Sequence, residues 1–448
     1  GTSPAIVGWA AIVLAFINAV YLQELGSTLN DITTGALALG GYAALAGAFT
    51  GRPIPMLALG GVLLGAAAAL KLSNATFALV PAVPLVLGCM TTVRLRVRAV
   101  AVFAACACLG AVIVGAPWAW RLEQAFGNPV FPMLNGFFHS PGFVAPTPTS
   151  TAPSPSPSVV DAVGQLVKGM RDPRFIPNSV PEALARPLDI VRARRFIHTE
   201  PMGADLRYAV LVILAGVGLV TLAWRRRKHG NMAAGLTQKS DRAFACLGAS
   251  FLMAWTLWLA ISGNSRYFLP MASVAAVLIC GGLYRLFSAA PSRFLMYSFL
   301  AIFGAQGLLL WTATEFRWSA QRWEGSWLQI SIPPRLQAES YVYLPMDSQS
   351  QSFLLPWLAS GSAFMGIAAG LTPEGFGGPR AKEFLGANID RLRMLKLVET
   401  IKSDGQPVTP NVARFDFPLR RFGLQVDLGD CEYIHYKGNP SVVELAGP

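Results

Sequence analysis

The sequence predicts an all-α polytopic membrane bundle of about nine transmembrane helices, with a large outer-face loop and a small C-terminal α/β domain. Three observations lead there. Of 448 residues, 53% are hydrophobic and only 13% charged, with a mean hydropathy of +0.46; a soluble domain is typically about 25% charged. The deficit lies in nine runs without Asp, Glu, Lys or Arg, at 4–23, 32–50, 53–70, 72–93, 99–120, 208–224, 243–263, 267–284 and 294–314. About 20 apolar residues cross the hydrocarbon. Finally, basic residues fill alternate gaps: Arg52; Arg94, Arg96 and Arg98; Arg225–Lys228 with Lys239 and Arg242; Arg285 and Arg293.

By the positive-inside rule those four gaps are cytoplasmic. The outer face then holds 24–31, 71–74, the long loop 121–207, 262–266 and everything after 315. The amino end is inside and the carboxyl end outside. The net charge of +12 is thereby assigned to loops between apolar runs, which argues against nucleic acid as a partner. The first residues lead almost directly into an apolar run, as expected of a piece lacking upstream helices. Five cysteines (Cys89, Cys106, Cys108, Cys246, Cys280) lie in apolar runs and Cys431 in a polar region, the pattern of small buried hydrophobes. No metal-ligand set is visible among the scattered His139, His198, His229 and His435.

The bundle, 1–318, includes the loop 121–207. The loop opens with WAWRLEQAFGNPVFPMLNGFFHSP, 118–141. Trp118 and Trp120 suit a membrane–water boundary. Gly127, Asn128, Pro129 and Pro132 break a helix, so the segment is expected to fold back along the membrane. Its phenylalanines give it an apolar side, while Asn128, Asn135 and His139 offer polar atoms for a substrate; an interfacial loop with aromatic anchors is the alternative. Residues 142–158 read as a Pro/Ser/Thr-rich linker, and VVDAVGQLVKGM as an amphipathic surface helix. RDPRFIP follows, with Arg171, Asp172 and Arg174. In the tail, 319–448, YVYLP at 341–345 reads as a strand and 381–405 as a helix ending at a glycine. RFGLQVDL and CEYIHYK read as later strands of an α/β domain.

Ionisable groups at a bundle mouth are where function is sought. Asp31 precedes the second span: its local pattern is first that of an N-cap, as is that of Asn30, and after that of a general base. Lys71, at the end of an apolar run on the same face, suits an anionic phosphate or a snorkelling anchor. Arg266 and Tyr267 sit between two spans with almost no loop. The planar fork of an arginine fits a phosphate; an interfacial anchor is again the alternative. There is no G-x-x-x-x-G-K-[ST], no G-x-G-x-x-G and no D-x-D, so nucleotide chemistry is not expected.

GSTLNDITTGALAL, GVLLGAAAALKLSN and GNSRYFLPM resemble segments of bacterial polyprenyl-phosphate-sugar-dependent integral membrane glycosyltransferases of the GT-C type. GNPVFPMLNGFFHSP with RDPRFIP, LPMDSQSQSFLLPWL and FGLQVDLGDCEYI are similar to an uncharacterised branch of that group. The resemblance implies a site open to the periplasm of a bacterial inner membrane, where an acceptor hydroxyl attacks the anomeric carbon of a lipid-phosphate sugar with inversion. Carried over, Asp31 is the acidic residue and Lys71, Arg266 and Tyr267 the donor-phosphate side; Asn128, Asn135, His139, Arg171, Asp172 and Arg174 belong to the substrate loop. Members usually carry their leading carboxylate after the first helix, so the main base lies upstream of residue 1, or Glu24 or Asp31 fills the role. The implied partners are a polyprenyl-linked sugar, a glycan or lipid acceptor and membrane lipids. No cofactor is evident, and a divalent metal is not indicated. A flippase or a scaffold for a lipid-linked glycan is the competing expectation.

Overall fold

Helix Leu269–Leu286 sits at the centre of the membrane part, because its run is apolar on all sides and so packs in every direction. The computed structural model describes residues 3–25, 29–143, 164, 167, 171–229, 239–287, 290–314, 329–346, 351–367, 371–398, 419–425, 427, 432–437 and 443–447. The chain forms two compact units, 1–118 with 163–320, and 119–162 with 321–448. Residues 119–162 group with the second unit.

In chain order the first unit has α1 (Pro4–Phe16), α2 (Ala19–Glu24), α3 (Asp31–Gly47), α4 (Pro53–Leu70), α5 (Val83–Gly88) and α6 (Val93–Phe126). The last of these runs on to end in the second unit, which also holds α7 (Asn135–Phe138). The first unit resumes with α8 (Val180–Asp189), α9 (Arg207–His229), α10 (Lys239–Ile261), α11 (Leu269–Leu286) and α12 (Ser292–Ala313). Among the described residues, five helical segments are long and apolar enough to cross a membrane: 53–70, 93–126, 239–261, 265–286 and 292–313. The chain is therefore a helical membrane protein. Helices α1, α3, α9, α10 and α12 all pack on α11. The central segment is 67% buried against 22% for 93–126 and for 292–313 and 17% for 239–261, so these three lie toward the outer surface.

Two of the expected spans are not single helices. The run 4–23 breaks at Ile17–Asn18: the buried Asn18 side chain accepts from the N–H of Val20 and Tyr21 and so starts a new helix, as an N-cap does. The run 72–93 is a π-turn (75–79), a 3-10 turn (80–82) and then α5, because Pro81 and Pro84 lack the N–H that a regular ladder needs. Conversely, α6 does not end near Trp120 but continues to Phe126. Its 34 residues span about 51 Å at 1.5 Å each, against a hydrocarbon layer of about 30 Å.

The α3–α4–α6 side is closed by glycine. A Cβ on Gly65 would overlap the Ala107 carbonyl, and one on Gly110 the Val62 carbonyl; only glycine lets these backbones approach so closely. Leu45, Leu57, Leu64, Phe77, Trp258 and Phe268 fill the adjoining core.

In the second unit the chain leaves α6 at Gly127, which has φ +61°. Phe126, Phe131, Phe143 and Phe376 then form one aromatic group, with Phe126 and Phe131 stacked at 4.0 Å. Phe143 is thus packed rather than part of a linker; 144–158 lies outside the described residues, as does the expected surface helix 159–170 except Gly164 and Val167. A six-stranded sheet follows the order β1-β5-β6-β4-β2-β3, comprising β1 (Gln329–Ser331), β2 (Val342–Pro345), β3 (Ala363–Phe364), β4 (Leu392–Val398), β5 (Glu432–Lys437) and β6 (Val443–Gly447). β2 runs parallel to β3 and β4; the other pairs are antiparallel.

The expected strands at 341–345 and 431–437 are present as β2 and β5. The expected helix 381–405 is not. Its first part is helix Gly378–Ala387, while 392–398 is strand β4 in the middle of the sheet. Met394 packs on one face and Leu395 on the other. A strand covered on both sides is apolar without alternation and mimics helical spacing. The described part of RFGLQVDL is a turn at 421–423, not a strand.

Candidate functional site

Three helix ends meet at one end of the first unit. Asp31 is the first residue of α3, and Asn30 ahead of it leaves the capping role unfilled: its side-chain N–H donates to the Leu70 carbonyl at 3.2 Å instead. That bond ties the start of α3 to the end of α4, where Lys71 is the C-cap. The third element is the 3-10 turn Ser265–Phe268 leading into α11.

The tight turn before it is fixed from several sides. Asn264 Oδ1 accepts from the Arg266 N–H at 3.1 Å, and the Trp258 indole N–H donates to the Asn264 carbonyl at 2.7 Å. Gly263 has φ +65°, and any Cβ there would strike the Phe175 carbonyl. His198 completes the arrangement. Its Nε2 faces the Gly203 carbonyl at 2.7 Å and must donate; Nδ1 then accepts from Ser265 Oγ at 2.8 Å. Burial pushes this imidazole below its usual range, which favours the neutral ring in which Nδ1 accepts. The segment 171–205 is in this way held against 262–266.

On this frame the charged groups converge. Asp31, only 3% exposed, pairs with Lys71 Nζ and lies 3.4 Å from Arg266 Nη2. Arg266 Nε is 3.0 Å from Glu24 Oε1, an ion contact without hydrogen-bond alignment, and Nη1 is 3.9 Å from Glu200. Asn264 donates to the same Glu200 oxygen at 3.2 Å. Arg174 reaches Glu200 at 3.4 Å while gripping Asp172 with two bonds of 2.9 and 2.7 Å. That grip holds the Asp172 carboxyl below the ordinary carboxylate range. Lys71 Nζ also stands 4.9 Å from the centre of the Tyr267 ring, a cation–π contact. Burial first, and then the Arg266 charge, push the Lys71 ammonium down to about 8, against the pull of Glu24.

The structure therefore brings together Asp31, Lys71, Arg266 and Tyr267, and joins Asp172 and Arg174 to them through Glu200. Arg171 is exposed and takes no part. Asn128, Asn135 and His139 belong to the second unit. Asn128 donates to Met133 O and accepts from Val130 N; Asn135 donates to Phe143 O and accepts from Ser140 N. These amides hold the loop's own backbone. His139 is exposed, with Nδ1 2.9 Å from the Phe137 carbonyl.

Glu200 is the residue that sequence reasoning passed over. Its signal is faint: a single acid in FIHTEPMG, within an outer gap dominated by arginines. The four carboxylates (Glu24, Asp31, Asp172, Glu200) and three cations (Lys71, Arg174, Arg266) leave the cluster one negative charge in excess. Ser73, two residues from Lys71, buries a hydroxyl with no partner among the described residues. The described residues hold no group of three or more His, Cys, Asp or Glu arranged for a metal. Compared with protein-family models, with curated proteins and with solved structures, the chain shows no match.

Proposed function

We propose that this chain is a membrane glycosyltransferase, which moves a sugar from a polyprenyl-phosphate donor to an acceptor hydroxyl with inversion at the anomeric carbon. The observation that carries the reading is the meeting of Asp31, Lys71 and Arg266, separated by 40 and 235 residues in sequence, at the ends of three helices. The donor phosphate takes the place of the Asp31 carboxylate beside Lys71 and Arg266. Two fixed cations then stabilise the charge that develops on the departing phosphate. The displaced carboxylate becomes the base: it receives the acceptor's proton as the new glycosidic C–O bond forms and the bond from the anomeric carbon to the phosphate oxygen breaks. In the absence of donor the same carboxylate is silenced by its cations. The reading invokes no cofactor and no nucleic acid.

Its setting is part of the proposal: about nine crossings in a bacterial inner membrane, the charged cluster and the sheet-bearing α/β domain on the periplasmic side, and a glycan or lipid as acceptor. The support for that orientation is the alternation of Arg-rich gaps.

The test is binding of undecaprenyl phosphate to the full chain in nanodiscs. Lys71→Ala and Arg266→Ala are each expected to weaken it about tenfold or more, the scale of a lost charge-assisted contact; unchanged affinity in both variants ends the reading. Binding also has a pH signature. The ammonium is complete below about 8 in the free protein, and a bound phosphate raises that value. Affinity therefore falls as pH rises from about 8 to the higher bound value, where the phosphate itself is already fully ionised. Lys71→Arg, always charged, should flatten the fall.

A further inference from the structure

At the side of the first unit, α9 and α10 both pack on α11 and scarcely touch each other. The gap between them is an apolar groove of about 830 Å3, walled by Leu211, Phe251, Trp255 and Leu278 among others. Each of the three helices gives it a glycine, Gly218, Gly248 and Gly282. A Cβ added at Gly218 or Gly248 would meet nothing within 4 Å, so these glycines face open space and not a neighbouring helix.

The lining residues on α9 run from Tyr208 to Thr221, a length of about 20 Å at 1.5 Å per residue. Val212 and Leu252 line the groove and are also 54% and 63% exposed. The groove is thus continuous with the apolar outer surface of a membrane-crossing bundle, which hydrocarbon covers. Its mouth is not apolar. Asp241 Oδ1 and Arg285 Nε stand 3.3 Å apart there, with side chains 43% and 37% exposed, and the guanidinium lies 4.0 Å from the Phe244 ring centre.

We propose that this groove binds one zwitterionic phospholipid of the phosphatidylethanolamine type. An acyl chain lies between α9 and α10, the phosphate meets Arg285 and the ammonium meets Asp241. The pairing at the mouth selects the class: one anionic and one cationic side chain complement a headgroup bearing both charges, whereas a purely anionic lipid would face Asp241 at a cost. The site is separate from the charged cluster and stands or falls independently of the transferase reading.

The experiment is native mass spectrometry of the full chain, extracted from vesicles of equal phosphatidylethanolamine and phosphatidylglycerol. The expected result is one retained phosphatidylethanolamine per chain. Gly248→Leu fills the groove and should lower retention on the order of tenfold, since each displaced methylene forfeits its burial. Gly218→Leu, on the facing helix, should do the same and decides the matter if the first variant fails to fold. Asp241→Asn should keep a lipid but lose the preference for ethanolamine. Retention in both leucine variants at the wild-type level, a wild-type lipid mixture equal to that of the vesicle, or displacement by undecaprenyl phosphate would each overturn the proposal.

Discussion

The two polar turns of this protein solve opposite problems. Around Asp31 the side chains reach across the sequence, pairing with residues 40 and 235 positions away. In the loop 127–143 the asparagines reach no farther than eight positions, and only to backbone. A polar group bonded to its own loop holds a shape. A charge paired with a distant charge has been desolvated at a cost that needs another reason. Composition alone makes the two turns look alike, yet only one gathers ionisable groups.

Perturbing each turn separates them. The largest effect belongs to Asp31→Ala, which takes from Lys71 its paired carboxylate in a poorly solvated place, while Arg266 keeps Glu24 and Glu200. Loss of about 3–5 kcal/mol is expected on breaking a buried pair, read from denaturant unfolding in detergent. Lys71→Met in the Asp31→Ala background should recover part of that loss, so a double-mutant cycle returns a clear coupling; strictly additive effects would show that the pair is incidental. Asn135→Ala comes next, at about 1–3 kcal/mol for orphaned backbone groups. It should appear as faster proteolysis between 128 and 143 with undecaprenyl phosphate binding unchanged. Weakened binding there would break the contrast and return the loop to the substrate. Smallest is Arg174→Ala, whose guanidinium is largely exposed: an exposed pair is worth below about 1 kcal/mol, and a larger loss of stability would mean that segment 171–205 hangs on this residue.

The helical membrane character was legible because hydropathy acts over whole runs, and Asp31, Lys71 and Arg266 were legible because charge is rare at the ends of such runs. What escaped was decided by packing. The break at Asn18 depends on one buried amide capping a new helix, and nothing in a uniformly apolar window announces it. The sequence of strand β4 mimics a helix because both of its faces are covered, which erases the period of two. Glu200 was missed because its importance comes from the turn at 262–266 brought against it by His198 and Gly263. Aromatic residues and Arg121 suggest a boundary near Trp120, but α6 carries Pro117 within it and continues to Phe126.

The glycine seam between α4 and α6 has a consequence for volume. Where Gly65 meets the Ala107 carbonyl and Gly110 the Val62 carbonyl, there is no room for even a methyl group, so compression finds nothing there to squeeze out. Hydrostatic pressure acts on voids, and on this seam it has no purchase. Under pressure the α4–α6 seam is therefore expected to keep its spacing.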